Sequence, residues 1–179
     1  MAKVGKVGSK KTTPVANIVP PEGGRIHFVR VPVQLDREWQ EVINAAGPNT
    51  PEGYNVRKVG DQYPPAGMGI VEVDVEAEII LVNFSSNDGS WNRAIAWAKQ
   101  YHLKRTNPRH VFAIGEHKPQ FHRELGVNYN MYAVATEECI FEGFRRVCIL
   151  LWVGSRRMAG LVWVEDCGGS IEWFAFLRE

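Results

Sequence analysis

The chain has 179 residues, 45% apolar, 23% charged and 11% aromatic, and its 21 Lys and Arg against 20 Asp and Glu leave a net charge of +1. Those figures describe one globular domain able to bury a core without metal or disulfide staples, and they exclude a polyanion binder that works by total charge. Three cysteines, Cys139, Cys148 and Cys167, are too sparse and odd a set for a secreted disulfide scaffold.

The N-terminal segment, residues 1–24, holds four Lys and one Glu among Gly and Pro breakers. It offers little to anchor a core and reads as a flexible basic arm on a slightly acidic body, since 17 basic and 19 acidic residues remain in 25–179. No apolar run in it could serve as a signal-peptide centre. The longest apolar stretch of the chain, Val147 to Val153, has seven residues, far short of a membrane span. A soluble, cytoplasmic protein with no membrane partner is the expectation.

From Arg25 the pattern turns regular. Arg25, His27, Val29, Val31 and Val33 share one face of a predicted strand, and Pro32 places that strand at an edge. Asp36 offers a helix N-cap, and Trp39, Val42, Ile43 and Ala46 form a helical stripe that stops at Gly47-Pro48. Residues 48–69 carry four Pro and four Gly without periodicity and read as a long irregular loop, of a kind that is often functional or mobile.

Ile70 to Phe84 alternates Val71, Val73, Val75 and Ala77 against Glu72, Asp74, Glu76 and Glu78, which predicts a strand with a bend or bulge near Ala77. Asn87-Asp88-Gly89-Ser90 supplies turn and cap chemistry for a second helix over roughly 91–103, with Trp91, Ala94, Ile95, Ala98 and Trp97 inward. Asn107-Pro108 breaks it. His110 to Ile114 reads as a short strand, and Pro119 to Gly126 as one helical turn.

Beyond Val127 the sequence predicts a meander. Tyr132 to Phe141 and Phe144 to Val153 flank the turn Glu142-Gly143, a register that sets Phe141 opposite Phe144, Cys139 opposite Arg146 and Glu137 opposite Cys148. The second of these strands is apolar on both faces and belongs inside the sheet. Ala159 to Glu165 and Ile171 to Leu177 follow. The sum is an α+β fold: a curved, mainly antiparallel sheet of about six or seven strands with two helices on one face.

Several residue groups carry possible chemistry. The stripe Glu72, Asp74, Glu76 and Glu78 spaces carboxylates about 7 Å apart on one face, and it admits either a hard cation or cross-strand ion pairs with Arg25 or Arg30. Lys99, Lys104, Arg105, Arg109 and His110, with Arg145-Arg146 and Arg156-Arg157, supply phosphate-binding cations. Tyr101, Tyr129 and Tyr132 could add stacking surface for a single strand of nucleic acid. The same cations also suit a helix C-terminus and solvated turns.

His117, His122, Glu124 and Cys139 are the densest set of zinc-type ligands, although no Cys-x2-Cys pair accompanies them. Cys139 opposite Arg146 is a candidate thiolate nucleophile or, equally, a small core residue. Glu116-His117-Lys118 at the end of the predicted short strand resembles half of the motif of the restriction-endonuclease-like nucleases. In that family an Asp, this acidic residue and the Lys hold magnesium and position a water; here Asp74 or Asp88 would have to supply the Asp. Six tryptophans (Trp39, Trp91, Trp97, Trp152, Trp163 and Trp173) fit core stripes, with one or two available for a recognition platform.

The expectation for function is a non-enzymatic binding protein whose partner is a protein or a nucleic acid, with the basic groups and the 48–69 loop as contact surface. The alternative is a small hydrolase, metal-assisted around Glu116, His117, Lys118 and His122 or thiol-dependent through Cys139. Neither cofactor nor oligomeric state is indicated.

Overall fold

A computed structural model describes residues 17–66, 75–84 and 89–178. Among the described residues the fold is α+β, an open, mostly antiparallel mixed sheet of seven strands with four helices. In chain order these are β1 (Arg25–Val33), α1 (Trp39–Ala46), β2 (Val75–Asn83), α2 (Trp91–Gln100), β3 (Lys104–Arg105), α3 (Pro108–His117), α4 (Phe121–Glu124), β4 (Met131–Phe141), β5 (Phe144–Val153), β6 (Arg156–Trp163) and β7 (Glu172–Leu177). The strand order is β1-β2-β7-β4-β5-β6, with β3 pairing β7 off this path. The β4–β7 pair is parallel, and the other pairs are antiparallel.

β1 sits at an edge as Pro32 requires, with Val29, Val31 and Val33 buried and Arg30 and Pro32 exposed. It pairs with β2 in continuous register from Arg25 opposite Asn83 to Val33 opposite Val75, so no bulge interrupts the pairing near Ala77. Glu72 and Asp74 of the acidic stripe lie outside the described residues. Glu78 stands directly opposite Arg30, which grips it at 2.8 and 2.9 Å, and Arg178 adds a third contact at 3.0 Å. This end of the stripe is a cross-strand ion pair.

α1 buries the predicted stripe Trp39, Val42, Ile43 and Ala46. Eight residues are too few for a stable isolated helix, so packing holds it. Burying such large apolar side chains contributes about 1.5–3 kcal/mol each. Glu38 occupies the N-cap position without a side-chain bond, in place of the expected Asp36.

Residues 67–69 of the expected 48–69 loop lie outside the described residues; over 48–66 the chain is less structureless than its composition suggests. It winds through two 3-10 turns, Asn55–Lys58 and Gly60–Gln62, and inserts Val56, Val59 and Tyr63 into the core. The indole N–H of Trp39 donates to the Val56 carbonyl at 2.9 Å.

Alternate residues of each central strand feed two cores on opposite faces. On the first face Val29, Val31, Ile79, Leu81, Leu150, Trp152 and Trp173 pack with α1 and α3. On the second, Ile80, Val82, Val134, Ile149, Phe174 and Phe176 pack with Trp91, Ala94, Trp97 and Ala98 of α2. α1 and α2, expected on one face, therefore lie on opposite ones. Ser90 caps α2 by accepting from the Arg93 N–H. Residues 1–16 of the predicted arm lie outside the described residues. Ile18 is buried in the second core, and the Trp97 indole N–H donates to the Val19 carbonyl.

Two expectations are overturned. His110 to Ile114 is helical, part of α3. Asn107 accepts from the Arg109 N–H and Pro108 takes the first turn, so Asn107-Pro108 starts a helix where it seemed only to end one. The C-terminal strands are also not a simple meander. β7 is buried on both faces and slots between β2 and β4.

The β4–β5 hairpin turns at Glu142 and Gly143, both in the left-handed region at φ 53° and 80°. Phe141 faces Phe144 and Cys139 faces Arg146, as the sequence predicts. The register then shifts by two residues between Val134 and Glu138, so the expected Glu137–Cys148 pair does not form. At this irregularity β4 parts from β7, and the gap is filled by hydroxyl groups.

The Thr136 hydroxyl donates to the Ala175 carbonyl at 2.7 Å, and the Thr106 hydroxyl donates to the same oxygen at 2.9 Å. The Thr106 N–H donates to the Thr136 hydroxyl, and the Thr136 N–H to the Thr106 hydroxyl. The Glu137 N–H reaches the Thr106 carbonyl at 3.0 Å. Both threonines are fully buried.

Thr136→Val keeps the shape but leaves the Thr106 N–H without its acceptor. It should lower the unfolding free energy by about 1–3 kcal/mol in urea titration. A midpoint unchanged from the parent would mean the junction contributes nothing.

Candidate functional site

The basic residues singled out in the sequence do not assemble into one patch. Lys99, Lys104 and Arg156 are exposed on α2, β3 and β6. Arg105 and Arg145 converge on one carboxylate, Glu138, at 3.0 and 2.7 Å, and Arg145 also approaches Glu165 at 3.7 Å. The two guanidinium groups, Arg145 foremost, hold the Glu138 carboxyl below the usual carboxylate range.

Arg109 is buried and donates to the carbonyls of Arg37 and Tyr63, tying the segment before α1 and the end of the 48–69 loop to α3. His110 sits in the first turn of α3, its Nδ1 bonded to the Asn107 carbonyl at 3.1 Å, and burial lowers the pKa of its imidazole. Arg157 donates from Nε to the Ala46 carbonyl at 2.9 Å. Arg146 lies 3.3 Å from the centre of the Trp163 ring. Much of the predicted cation set is thus spent inside the molecule or on carboxylates.

Glu116, His117 and Lys118 end a helix, whereas the nuclease-like resemblance places them after a strand. Glu116 is held by Arg37 at 2.7 and 2.9 Å, and Lys118 pairs with Glu124 at 3.0 Å. His117 is exposed; His122, on α4, is buried beside Trp152 with Nδ1 unpartnered, and burial lowers its value. Among the described residues no three His, Cys, Asp or Glu side chains gather as a metal-holding set. Asp74 and Asp88 lie outside those residues.

Cys139 and Cys148 project into the first core with Tyr63. The neighbouring Cys148 thiol and Tyr63 hydroxyl, with the positive field of Arg146, draw the Cys139 thiol down to about 7 despite its burial; the Tyr63 hydroxyl itself donates to the Glu137 carbonyl at 3.2 Å. Burial pushes the Cys148 and Tyr63 groups upward. At 3% exposure Cys139 has little access to a substrate, which fits a core thiol better than a nucleophile.

Two adjoining concavities form where β4, β5 and β6 end near the 3-10 turn Val164–Asp166. The open one, about 530 Å³, is lined by Gly143, Phe144, Arg145, Trp163, Glu165 and Asp166. Phe144 meets Trp163 edge-on at 4.5 Å. The narrower one, about 250 Å³, shares Trp163 and Asp166 and is lined further by Tyr132, Val134, Arg146, Ile149, Val162 and Glu172.

Glu172 is 8% exposed, and Gly169 N–H donates to its Oε2 at 2.8 Å. Burial pushes its carboxyl up, while N–H groups of Gly169, Glu172 and Ile171 draw it down. Sequence reasoning missed Glu172, although a carboxylate heading the apolar run Glu172–Leu177 was itself a signal.

Gln62 was missed as well. Its side-chain amide donates to the Ile140 carbonyl at 2.8 Å and accepts from the Ile140 N–H at 2.9 Å, capping β4 as a strand would. No protein-family model, curated protein or solved structure matches the chain. Among the described residues no helix is long and apolar enough to cross a membrane.

At 3% and 4% exposure Cys139 and Cys167 should both be alkylated slowly by a small haloacetamide in the folded chain, and both should react at the rate of a free thiol once the chain is unfolded in urea. Rapid alkylation of Cys139 in the folded chain would contradict its place in the core.

Proposed function

We propose that the chain is a non-enzymatic binding module, that its partner is a protein, and that contact is made by the end of the β4–β5 hairpin with the adjoining part of β6. The observation that carries this reading is exposure at the hairpin end. Ile140 and Phe144 are 55% and 52% exposed, and Phe144 leans on Trp163, which in turn stacks on Arg146. Aromatic and arginine side chains beside an open concavity are the composition that protein interfaces favour.

A nucleic-acid partner has less support. Phosphate binding needs uncommitted cations, and Arg105, Arg145, Arg109 and Arg157 are engaged by carboxylates or carbonyls. The hydrolase alternative is weakened by the engagement of Glu116 and Lys118 in their own ion pairs. In this reading the 48–69 loop serves chiefly as a brace, with Gln62 holding the hairpin and Tyr54 adding exposed surface.

A photoreactive phenylalanine analogue at position 144, irradiated in an extract of the source cells, should give one discrete cross-linked protein, with none from the same analogue at Glu41 on α1. The double variant Ile140→Ser, Phe144→Ser should stay folded and lose the adduct formed by an analogue at Trp163. A mobility shift with RNA or DNA that weakens steeply with salt, in place of a protein adduct, would contradict the proposal.

A further inference from the structure

The open sheet ends in two edge strands, β1 and β6. An edge presents main-chain N–H and C=O groups that a further strand can take up, and proteins that stay single blunt it with proline, charge or a covering segment. β1 carries Pro32, which has no N–H, and the exposed Arg30. β6 is covered at its first end only.

The alternation of the strand fixes which groups face outward. The hairpin register sets Arg156 opposite Val153, and from there every second residue of β6 turns its main chain toward β5. Arg157, Ala159, Leu161 and Trp163 turn theirs outward. At Arg157 that side is taken: the Asn49 N–H donates to the Arg157 carbonyl at 3.1 Å, and the Arg157 N–H donates to Asn49 Oδ1 at 3.0 Å. The Ala159 N–H donates to Thr50 Oγ1 at 2.8 Å. At the far end the Cys167 thiol donates to the Trp163 carbonyl at 3.5 Å. Between these, the Ala159 carbonyl, both main-chain groups of Leu161 and the Trp163 N–H have no partner among the described residues. The five residues Ala159 to Trp163 include neither a charge nor a proline.

This open stretch is its own complement. Along the strand the four groups run acceptor, donor, acceptor, donor, symmetric about Leu161. A second β6 laid antiparallel, Leu161 opposite Leu161, sets every donor against an acceptor. The two Leu161 residues exchange both hydrogen bonds, and each Trp163 N–H meets the Ala159 carbonyl of the other copy. The Ala159 N–H and the Trp163 carbonyl keep the partners they have. The flanking charges reverse in the same way. Arg156 and Arg157 precede the stretch and Glu165 and Asp166 follow it, with Arg156, Glu165 and Asp166 exposed. A two-fold axis at Leu161 therefore brings the basic end of each strand to the acidic end of the other, whereas parallel alignment would set like charges together.

We propose that the chain forms a two-fold dimer by antiparallel pairing of β6 with β6 of a second copy over Ala159 to Trp163, which continues the sheet from one copy into the next. The contact is made by main-chain groups of the edge, and the partner surface proposed above by side chains at the hairpin end, so either can fail alone.

Sedimentation equilibrium of the full chain should show self-association to a dimer with a Kd below about 1 mM. Leu161→Pro removes a donor that no bond inside the chain uses, so it should leave the fold intact and raise that Kd at least about tenfold. The double variant Ile140→Ser, Phe144→Ser should leave the Kd unchanged. In the dimer the Leu161 amide should exchange slowly with solvent, and dilution below the Kd should speed it while the Val162 amide, paired with β5, stays slow.

If Leu161→Pro does not fold, Arg156→Glu takes its place; it should weaken the dimer several-fold, and Asp166→Arg added to it should restore the parent Kd. A chain that stays monomeric up to about 1 mM would overturn the proposal. So would a dimer unweakened by Leu161→Pro, or by Arg156→Glu in its stead, a dimer lost in the hairpin double variant, or fast exchange at Leu161 in the dimer.

Discussion

One carbonyl oxygen, that of Ala175, receives two buried threonine hydroxyls, and the layout of the sheet turns on that point. β4 and β7 run side by side only from Tyr132 opposite Glu172 to Val134 opposite Phe174. Beyond that, β3 takes over as neighbour to Phe176 and Leu177. A change of partner inside a buried sheet would strand several N–H and C=O groups, each costing about 1–3 kcal/mol if left unpaired. Thr106 and Thr136 are short enough to fit and carry both donor and acceptor, so they bridge the change by direct hydrogen bonds.

Two consequences reach the surface. The register of β4 against β5 slips by two residues, an even number, so Cys139 stays on the same face as Cys148 and Ala133 and the two cores remain separate. The end of the hairpin, released from β7, extends past the sheet. There the Gln62 amide and the Arg105–Glu138–Arg145 cluster replace strand pairing. Exposed Ile140 and Phe144 and the open concavity at Trp163 are products of that release. At the other end of the short parallel pairing, β7 begins with Glu172, held by its turn at the head of the narrower concavity.

The sequence was most legible where each residue has a single environment. The edge position of β1 followed from Pro32, the buried stripe of α1 from its spacing, and the hairpin turn from Glu142-Gly143. α3 was misread because it is buried on nearly every side. Val111, Phe112, Ala113, Ile114 and Gly115 all lie inside, which erases the helical period and leaves a short apolar run that suits a strand equally well. The insertion of β7 was hidden because pairing across the sheet is a long-range choice; only its apolar character on both faces hinted at an interior place. The binding candidates suffered most. Arginines that look alike in sequence divide into structural donors such as Arg109 and Arg157 and surface partners such as Arg145, and only the fold sorts them.

Amide hydrogen exchange at Thr106, Thr136 and Glu137 tests the account of the sheet most directly. None of these three N–H groups bonds as part of an ordinary strand ladder; each relies on the junction. If the junction anchors the sheet, all three should exchange as slowly as the amides of β5 and β7, through global unfolding alone. Exchange at Thr106 and Thr136 orders of magnitude faster than in those strands would show that β4 and β3 part locally while the sheet stays intact, and the central claim would fall.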